Sequence, residues 1–181
     1  FVDALGTQAG ELGALLASDD ERPVVHLVAR PGVLTAAELA EQTGGTVGRY
    51  SPHAVYLPGG DPGEVAAVRA GTALVQDEGS QLVARALTLA TVDGEDGGRW
   101  LDLCSGPGGK TALIGALAPG AARVTAVEPA EHRADFVVQN TAGLPVDVLR
   151  VDGRETGLPP GSFDRVLVDA PCTGLGALRR R

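Results

Sequence analysis

From Arg99 to Asp169, strand-length apolar runs alternate with helix-length stretches, and this alternation narrows the possible folds more than any other feature of the chain. Arg99–Leu103, Arg123–Val127, Val146–Val151 and Arg165–Asp169 are predicted strands. The intervals near Lys110–Leu117 and Glu131–Ala142 are predicted helices. Strand, helix, strand, helix, strand requires a parallel sheet with right-handed crossovers, an α/β architecture of Rossmann-like type. Sheets of this kind take ligands beyond the carboxyl ends of their strands. Each predicted strand ends at, or shortly before, a residue suited to such a role: the glycine turn after Leu103, Glu128, Asp152 and Asp169.

Ahead of this sheet, residues 1–73 have a shorter and more mixed pattern. An amphipathic helix is predicted near Gly10–Ala17, a strand over Val24–Ala29, a helix near Thr35–Gln42, and short strands near Thr46–Arg49 and Ala54–Leu57. Together they describe a small α+β module. Pro58-Gly59-Gly60-Asp61-Pro62-Gly63 is turn chemistry, and Leu74-Val75-Gln76-Asp77 leads into a predicted helix over Glu78–Leu89. Asp93 to Gly98 reads as a linker, so residues 74–98 connect the module to a domain over 99–181.

Composition narrows the functional classes. With 181 residues and 44% hydrophobic content the chain can bury a substantial core. No apolar run approaches the roughly 18 residues of a membrane span, and no cleavable signal is visible, so a cytoplasmic monomer is expected. Cys104 and Cys172 stand in different motifs, without metal-ligand or disulfide spacing, so free thiols and no metal site are expected. The net charge of −8, with Lys110 the only lysine, argues against non-specific coating of nucleic acid. The one basic run is Arg179-Arg180-Arg181. The start at Phe1 and the stop on that run read as a fragment cut at both ends.

Three enzyme classes use a glycine turn at this place, and spacing separates them. A P-loop needs Gly, four residues, then Gly-Lys-Ser/Thr; Gly109-Lys110-Thr111 supplies the end, but Cys104 stands where the first glycine belongs. A dinucleotide site needs Gly-x-Gly-x-x-Gly; here the glycines fall at 106, 108 and 109, with none at 111. S-Adenosylmethionine-dependent methyltransferases use a looser turn, with an acid after the second strand and another after the third. Cys104-Ser105-Gly106-Pro107-Gly108-Gly109-Lys110, Glu128 and Asp152 fill those places.

Leu101 to Thr111, Gln76-Asp77-Glu78-Gly79-Ser80-Gln81 and Asp169-Ala170-Pro171-Cys172-Thr173-Gly174 together resemble the bacterial RNA cytosine-C5 methyltransferases of the Sun/Fmu type, RsmB-like. The resemblance implies S-adenosylmethionine as cofactor and a ribosomal RNA cytosine as substrate. It implies that Cys104 to Lys110 wrap the methionine part of the cofactor, that Glu128 takes the ribose hydroxyls, and that Asp152 sits by the adenine. Arg133 is a further cofactor-site residue. Asp169 borders the cofactor and contacts the target cytosine, whose ring Cys172 faces. The segment Gln76–Gln81 packs beside the cofactor, and the module before the sheet helps hold RNA.

The implied chemistry explains the thiol. Carbon 5 of cytosine is too electron-poor to attack a methyl sulfonium until a thiolate has added to carbon 6. In the resembled family a cysteine in a Thr-Cys motif makes this attack, and the Asp-Ala-Pro-Cys cysteine, here Cys172, helps release the product. No Thr-Cys motif occurs in the 181 residues, so the chain by itself is expected to lack the nucleophile. A P-loop nucleotide hydrolase and a non-catalytic module that binds cofactor or RNA remain the alternatives.

Plainer readings stand beside these. Cys104 is a small buried hydrophobe at a strand end. Glu128 and Asp152 are loop acids unless a cofactor joins them, and Asp102 either faces a cofactor or steadies the turn. His26, His53 and His132 have no partner pattern, and Asp19-Asp20-Glu21 is a solvated loop. Gln76–Gln81 is equally a capped helix start, with Asp77 or Ser80 as the cap.

Overall fold

The structure, a computed structural model, describes residues 23–170. Residues 25–170 form one compact unit that holds two four-stranded sheets. The helix expected near Gly10–Ala17, the acidic loop at 19–21, and Cys172 with the arginines at the end all lie outside the described residues.

The first sheet is antiparallel, in the order β2-β3-β1-β4: β1 is His26–Ala29, β2 Thr46–Val47, β3 Ala54–Tyr56 and β4 Ala73–Val75. Helix α1, Ala36–Thr43, starts at Thr35. There the side chain accepts from the Glu38 N–H while the Glu38 carboxylate accepts from the Thr35 N–H, a reciprocal capping box. It ends on Gly44 in the left-handed conformation. Leu27 and Ala29 of β1 join Leu39 and Ala40 of α1 and Val55 of β3 in one core. Val28, on the opposite face of the same strand, joins Ala84, Trp100, Leu113, Ile114 and Val124 in a second. Side chains of a strand alternate between faces, so β1 is buried on both and ties the two cores together.

β4 was not expected as a strand. It pairs antiparallel with β1, Leu27 opposite Val75 and Ala29 opposite Ala73, and carries the first sheet to Val75. A 3-10 turn at Pro62–Glu64, at the end of the expected turn, and a one-turn helix α2, Ala66–Arg69, precede it.

The second sheet is parallel, in the order β7-β6-β5-β8: β5 is Arg99–Asp102, β6 Arg123–Val127, β7 Val146–Leu149 and β8 Arg165–Leu167. β7 and β8 stop two residues short of the predicted ends. Helix α3 is Glu78–Leu89, α4 Gly109–Leu117 and α5 Glu131–Asn140. α4 is apolar almost all round, as suits a helix packed between α3 and α5 over β6. The order reverses at β5, whose sequence neighbour β6 lies on one side and β8 on the other. That reversal marks the carboxyl end of β5 as the place where sheets of this topology take their ligands.

The expected linker is anchored to the sheet. Asp96 accepts from Trp100 Nε1 at 3.2 Å and from Arg165 Nε at 2.7 Å, while Arg165 also donates to the carbonyls of Leu87 and Ala90 at the end of α3. The Arg165 guanidinium lies 5.1 Å from the centre of the Trp100 ring.

Candidate cofactor site

Beyond β5 the chain turns sharply, and each residue of the turn is held from a different side. Ser105, buried, donates to the Val127 carbonyl through both its N–H and its hydroxyl, each at 3.0 Å, which fastens the turn to the end of β6. Gly106 has no room for a side chain: a Cβ there would collide with Glu128 Oε2 and lie 2.8 Å from Arg133 Nε. Its carbonyl accepts from Arg133 at 2.6 Å, and the Pro107 carbonyl accepts from Asn140 Nδ2 at 2.8 Å. Gly108 caps α4 with φ +105°, and a Cβ would come within 2.8 Å of Val137 Cα. Glycine is thus required here by backbone conformation and by the close approach of α5.

The acids expected around this turn are present. Asp102, the last residue of β5, is buried and accepts from Thr111 Oγ1 at 2.6 Å, while its Oδ1 has no hydrogen-bond partner. Burial pushes its carboxyl above the usual range, against the opposing pull of the Thr111 hydroxyl and the Cys104 N–H. Glu128, directly after β6, is also buried. Its Oε1 accepts from the Ala130 N–H at 3.0 Å, and its Oε2 lies 3.4 Å from Arg133 Nε. Lys110 Nζ lies 2.6 Å from Asp169 Oδ2, joining the first turn of α4 to the segment after β8.

Cys104 is half-buried and free. Burial raises its thiol pKa, and the carboxylates of Asp102, Glu128 and Asp169 raise it further. Arg133 opposes them, and two of the three carboxylates carry a cation of their own, Glu128 beside Arg133 and Asp169 beside Lys110.

Asp152 lies beyond β7 in a loop that folds back toward β5, since a Cβ on Gly153 would meet Leu103 Cγ at 3.2 Å. Its carboxylate is held by Arg154, Nε to Oδ1 at 3.0 Å and a terminal nitrogen to Oδ2 at 2.6 Å, and this holds its pKa down at about 2. The structure therefore gathers the turn from Cys104 to Lys110 with Asp102, Glu128, Arg133 and Asp169, and leaves Asp152 on a neighbouring loop in a pair of its own. Cys172 falls outside the described residues.

Two residues that sequence reasoning did not pick for this site border it. Asn140, at the end of α5, holds the Pro107 carbonyl, and Arg30 after β1 donates to the carbonyls of Asn140 and Ala142. Neither carries a local signal, because each acts on elements far away in sequence. Gln76, the first residue of the segment expected to pack beside the cofactor, lies between β4 and α3 beside Gly109. Among the described residues no cluster of side chains could hold a metal ion, and no helix is long and apolar enough to cross a membrane.

Comparison with known proteins adds to this geometry. Residues 86–181 match the family described as 16S rRNA methyltransferase RsmB/F. The chain is 77% identical to the Mycobacterium tuberculosis protein Rv1407 over its whole length, covering 39% of that protein. It is 35% identical to the ribosomal RNA small subunit methyltransferase B of Enterobacter sp. over 92% of the chain and 40% of the relative. The chain thus spans about two-fifths of the length of these relatives. In fold it is similar to the NSun6 protein of Pyrococcus horikoshii, solved with SFG, with a TM-score of 0.76 over 94% of this chain and 69% of that one at 14% identity.

Proposed function

The chain belongs to the RsmB/F family of 16S rRNA methyltransferases, which depend on S-adenosylmethionine, and from that membership we propose that its protein methylates carbon 5 of a cytosine in small-subunit ribosomal RNA. The observation that carries this reading is the convergence of the glycine turn, Asp102, Glu128 and Asp169 at the carboxyl ends of the parallel strands. The P-loop alternative is set aside on the family match and on Cys104, which stands where a P-loop has its first glycine.

The residues present fit the cofactor on two counts. The close packing of Gly106 against Glu128 and of Gly108 against α5 fixes the backbone of the turn, and Asp102 Oδ1 is a buried acceptor left without a donor. In this reading Cys104 to Lys110 wrap the methionine part, Glu128 takes the ribose hydroxyls with Arg133 steadying it, and Asp152 borders the adenine. S-Adenosylmethionine, when bound, supplies an electrophilic methyl group. Asp169, oriented by Lys110, faces the cytosine.

On the substrate side, a cysteine thiolate adds to carbon 6, carbon 5 takes the methyl group, a base removes the proton from carbon 5, and the carbon–sulfur bond breaks to restore the ring. Cys172, in the Asp-Ala-Pro-Cys motif, serves the release of product.

The test is methyl transfer by the full-length protein from methyl-tritiated S-adenosylmethionine to undermodified 16S rRNA, with bisulfite sequencing of the product. Label at carbon 5 of one cytosine supports the proposal. Label at another atom, or none, overturns it.

A further inference from the structure

The most conspicuous unsatisfied group outside the glycine turn is the Gln76 side chain. It is 7% exposed, and both its Oε1 and its Nε2 lack a hydrogen-bond partner. Burying a carboxamide with neither end paired is costly, so such a group calls for an explanation. Loose placement does not supply one. The Gln76 N–H donates to the His26 carbonyl at 3.0 Å and the Gln76 carbonyl accepts from Gln81 Nε2 at 3.1 Å, so the residue is fixed from β1 and from α3.

Its position indicates what is missing. A Cβ on Gly109 would lie 3.4 Å from Gln76 Nε2 and 3.6 Å from its Cδ, so the carboxamide stands at the start of α4, where backbone N–H groups have no intrahelical acceptor. Gly106 and Gly108, on the other flank of the turn, lie against Glu128, Arg133 and Val137 of the β6–α5 side. Gln76 therefore approaches the turn from the α3 flank, away from the acid assigned to the ribose. Just past it, Lys110 reaches Asp169 beyond β8. With the ribose assigned to Glu128, this flank is the one left for the cofactor's other end, the α-amino acid.

We propose that the Gln76 carboxamide recognises the α-amino-acid end of S-adenosylmethionine, Oε1 accepting from the α-ammonium and Nε2 donating to the α-carboxylate. This rests on the cofactor reading above and adds a specificity-determining residue to it. A carboxamide offers a donor and an acceptor without net charge, which matches a zwitterion. The assignment also gives the first sheet a part in cofactor binding, because β1 and β4 hold the residue in place.

The test is equilibrium binding, by calorimetry on the full-length protein, of S-adenosylmethionine, S-adenosylhomocysteine and 5′-methylthioadenosine, which lacks the amino-acid end. Gln76→Met is expected to weaken the first two by about 10- to 100-fold, the range for hydrogen bonds to charged groups, and to leave the third unchanged. Its ligand-free Tm is expected to equal or exceed that of the wild type, since two unpartnered polar atoms leave the interior. Gln76→Glu, which keeps the shape but repels a carboxylate, is expected to give the same selective loss. Unchanged affinity for S-adenosylmethionine in both variants overturns the inference, as does a parallel loss for 5′-methylthioadenosine with a lowered Tm. If the wild type binds none of the three ligands, the cofactor reading itself fails, a result distinct from either of these.

Discussion

Thr111 donates its hydroxyl to Asp102 over 2.6 Å, with both side chains buried, so a helix residue holds the carboxylate that ends β5. Burial, the largest influence, raises the Asp102 pKa above its ordinary value. The folded state therefore binds this proton more tightly than the unfolded chain does. The resulting stabilisation is complete below the unfolded carboxylate pKa and is lost as pH rises through the folded one. Asp102→Asn keeps the size and an acceptor for Thr111 while removing the ionisation. Thermal melts of the cofactor-free protein across pH should place the variant a few degrees above wild type at neutral pH, roughly what 1 kcal/mol provides, with the gap closing in acid. A variant less stable than wild type at neutral pH would count against this account.

Gly108 is fixed twice, by φ +105° and by the 2.8 Å approach of an added Cβ to Val137 Cα. Val137 Cα is backbone in α5 and cannot swing aside. Gly108→Ala should destabilise the protein by about 1–3 kcal/mol, the usual cost of a non-glycine residue held in a sparsely populated conformation. It should also abolish detectable binding of S-adenosylmethionine. Urea unfolding and calorimetry on the same preparation check both effects, and wild-type affinity in the variant would remove the turn from the site.

The parallel sheet was legible because its strands and helices follow their own hydrophobic periods, so β6 and α3 occur with the predicted limits. Strand ends were less legible. β7 and β8 stop at Leu149 and Leu167 because pairing with β6 and β5 ends there, and no residue at 150 or 168 announces it. β4 has three residues and takes its extended form from β1, a partner more than forty residues earlier. At the site, the glycine turn, Glu128 and Asp169 could be found by register along the strands. Asn140 could not, because its role arises only when distant elements pack against the turn, and Gln76 was reached only through the resemblance of its whole segment. The Arg154 grip on Asp152 was equally hidden, since an arginine two residues from an acid has many other conformations.

That grip has a measurable consequence. Arg154 donates to both oxygens of Asp152, and its side-chain hydrogen bonds are the main reason the carboxyl titrates at about 2. A depressed folded pKa contributes stability that is present above the unfolded value and lost as pH falls toward 2. Both groups are solvent-accessible, so the contribution is small, and Arg154→Ala should leave the neutral-pH Tm nearly unchanged. The same variant should move the Asp152 titration, followed by carboxyl-selective NMR, back toward the ordinary carboxylate value near 4. A midpoint that stays near 2 would mean that another group holds the charge.

The two cysteines should separate by reactivity. Burial raises the Cys104 thiol pKa first, and three nearby carboxylates raise it further, so little thiolate is present near neutral pH. Iodoacetamide at pH 7.5, followed by peptide mapping, should label Cys104 several-fold more slowly than a cysteine in an unstructured peptide. Raising the pH should speed the labelling, with a midpoint above the ordinary thiol value. Cys172, in the release role proposed for it, gives a different signature. Cys172→Ala should lower turnover on rRNA by about 100-fold or more while a denaturation-resistant protein–RNA adduct accumulates, because attack at carbon 6 proceeds and elimination stalls. Loss of turnover with no adduct would instead make Cys172 the attacking thiol, and the release assignment would fall.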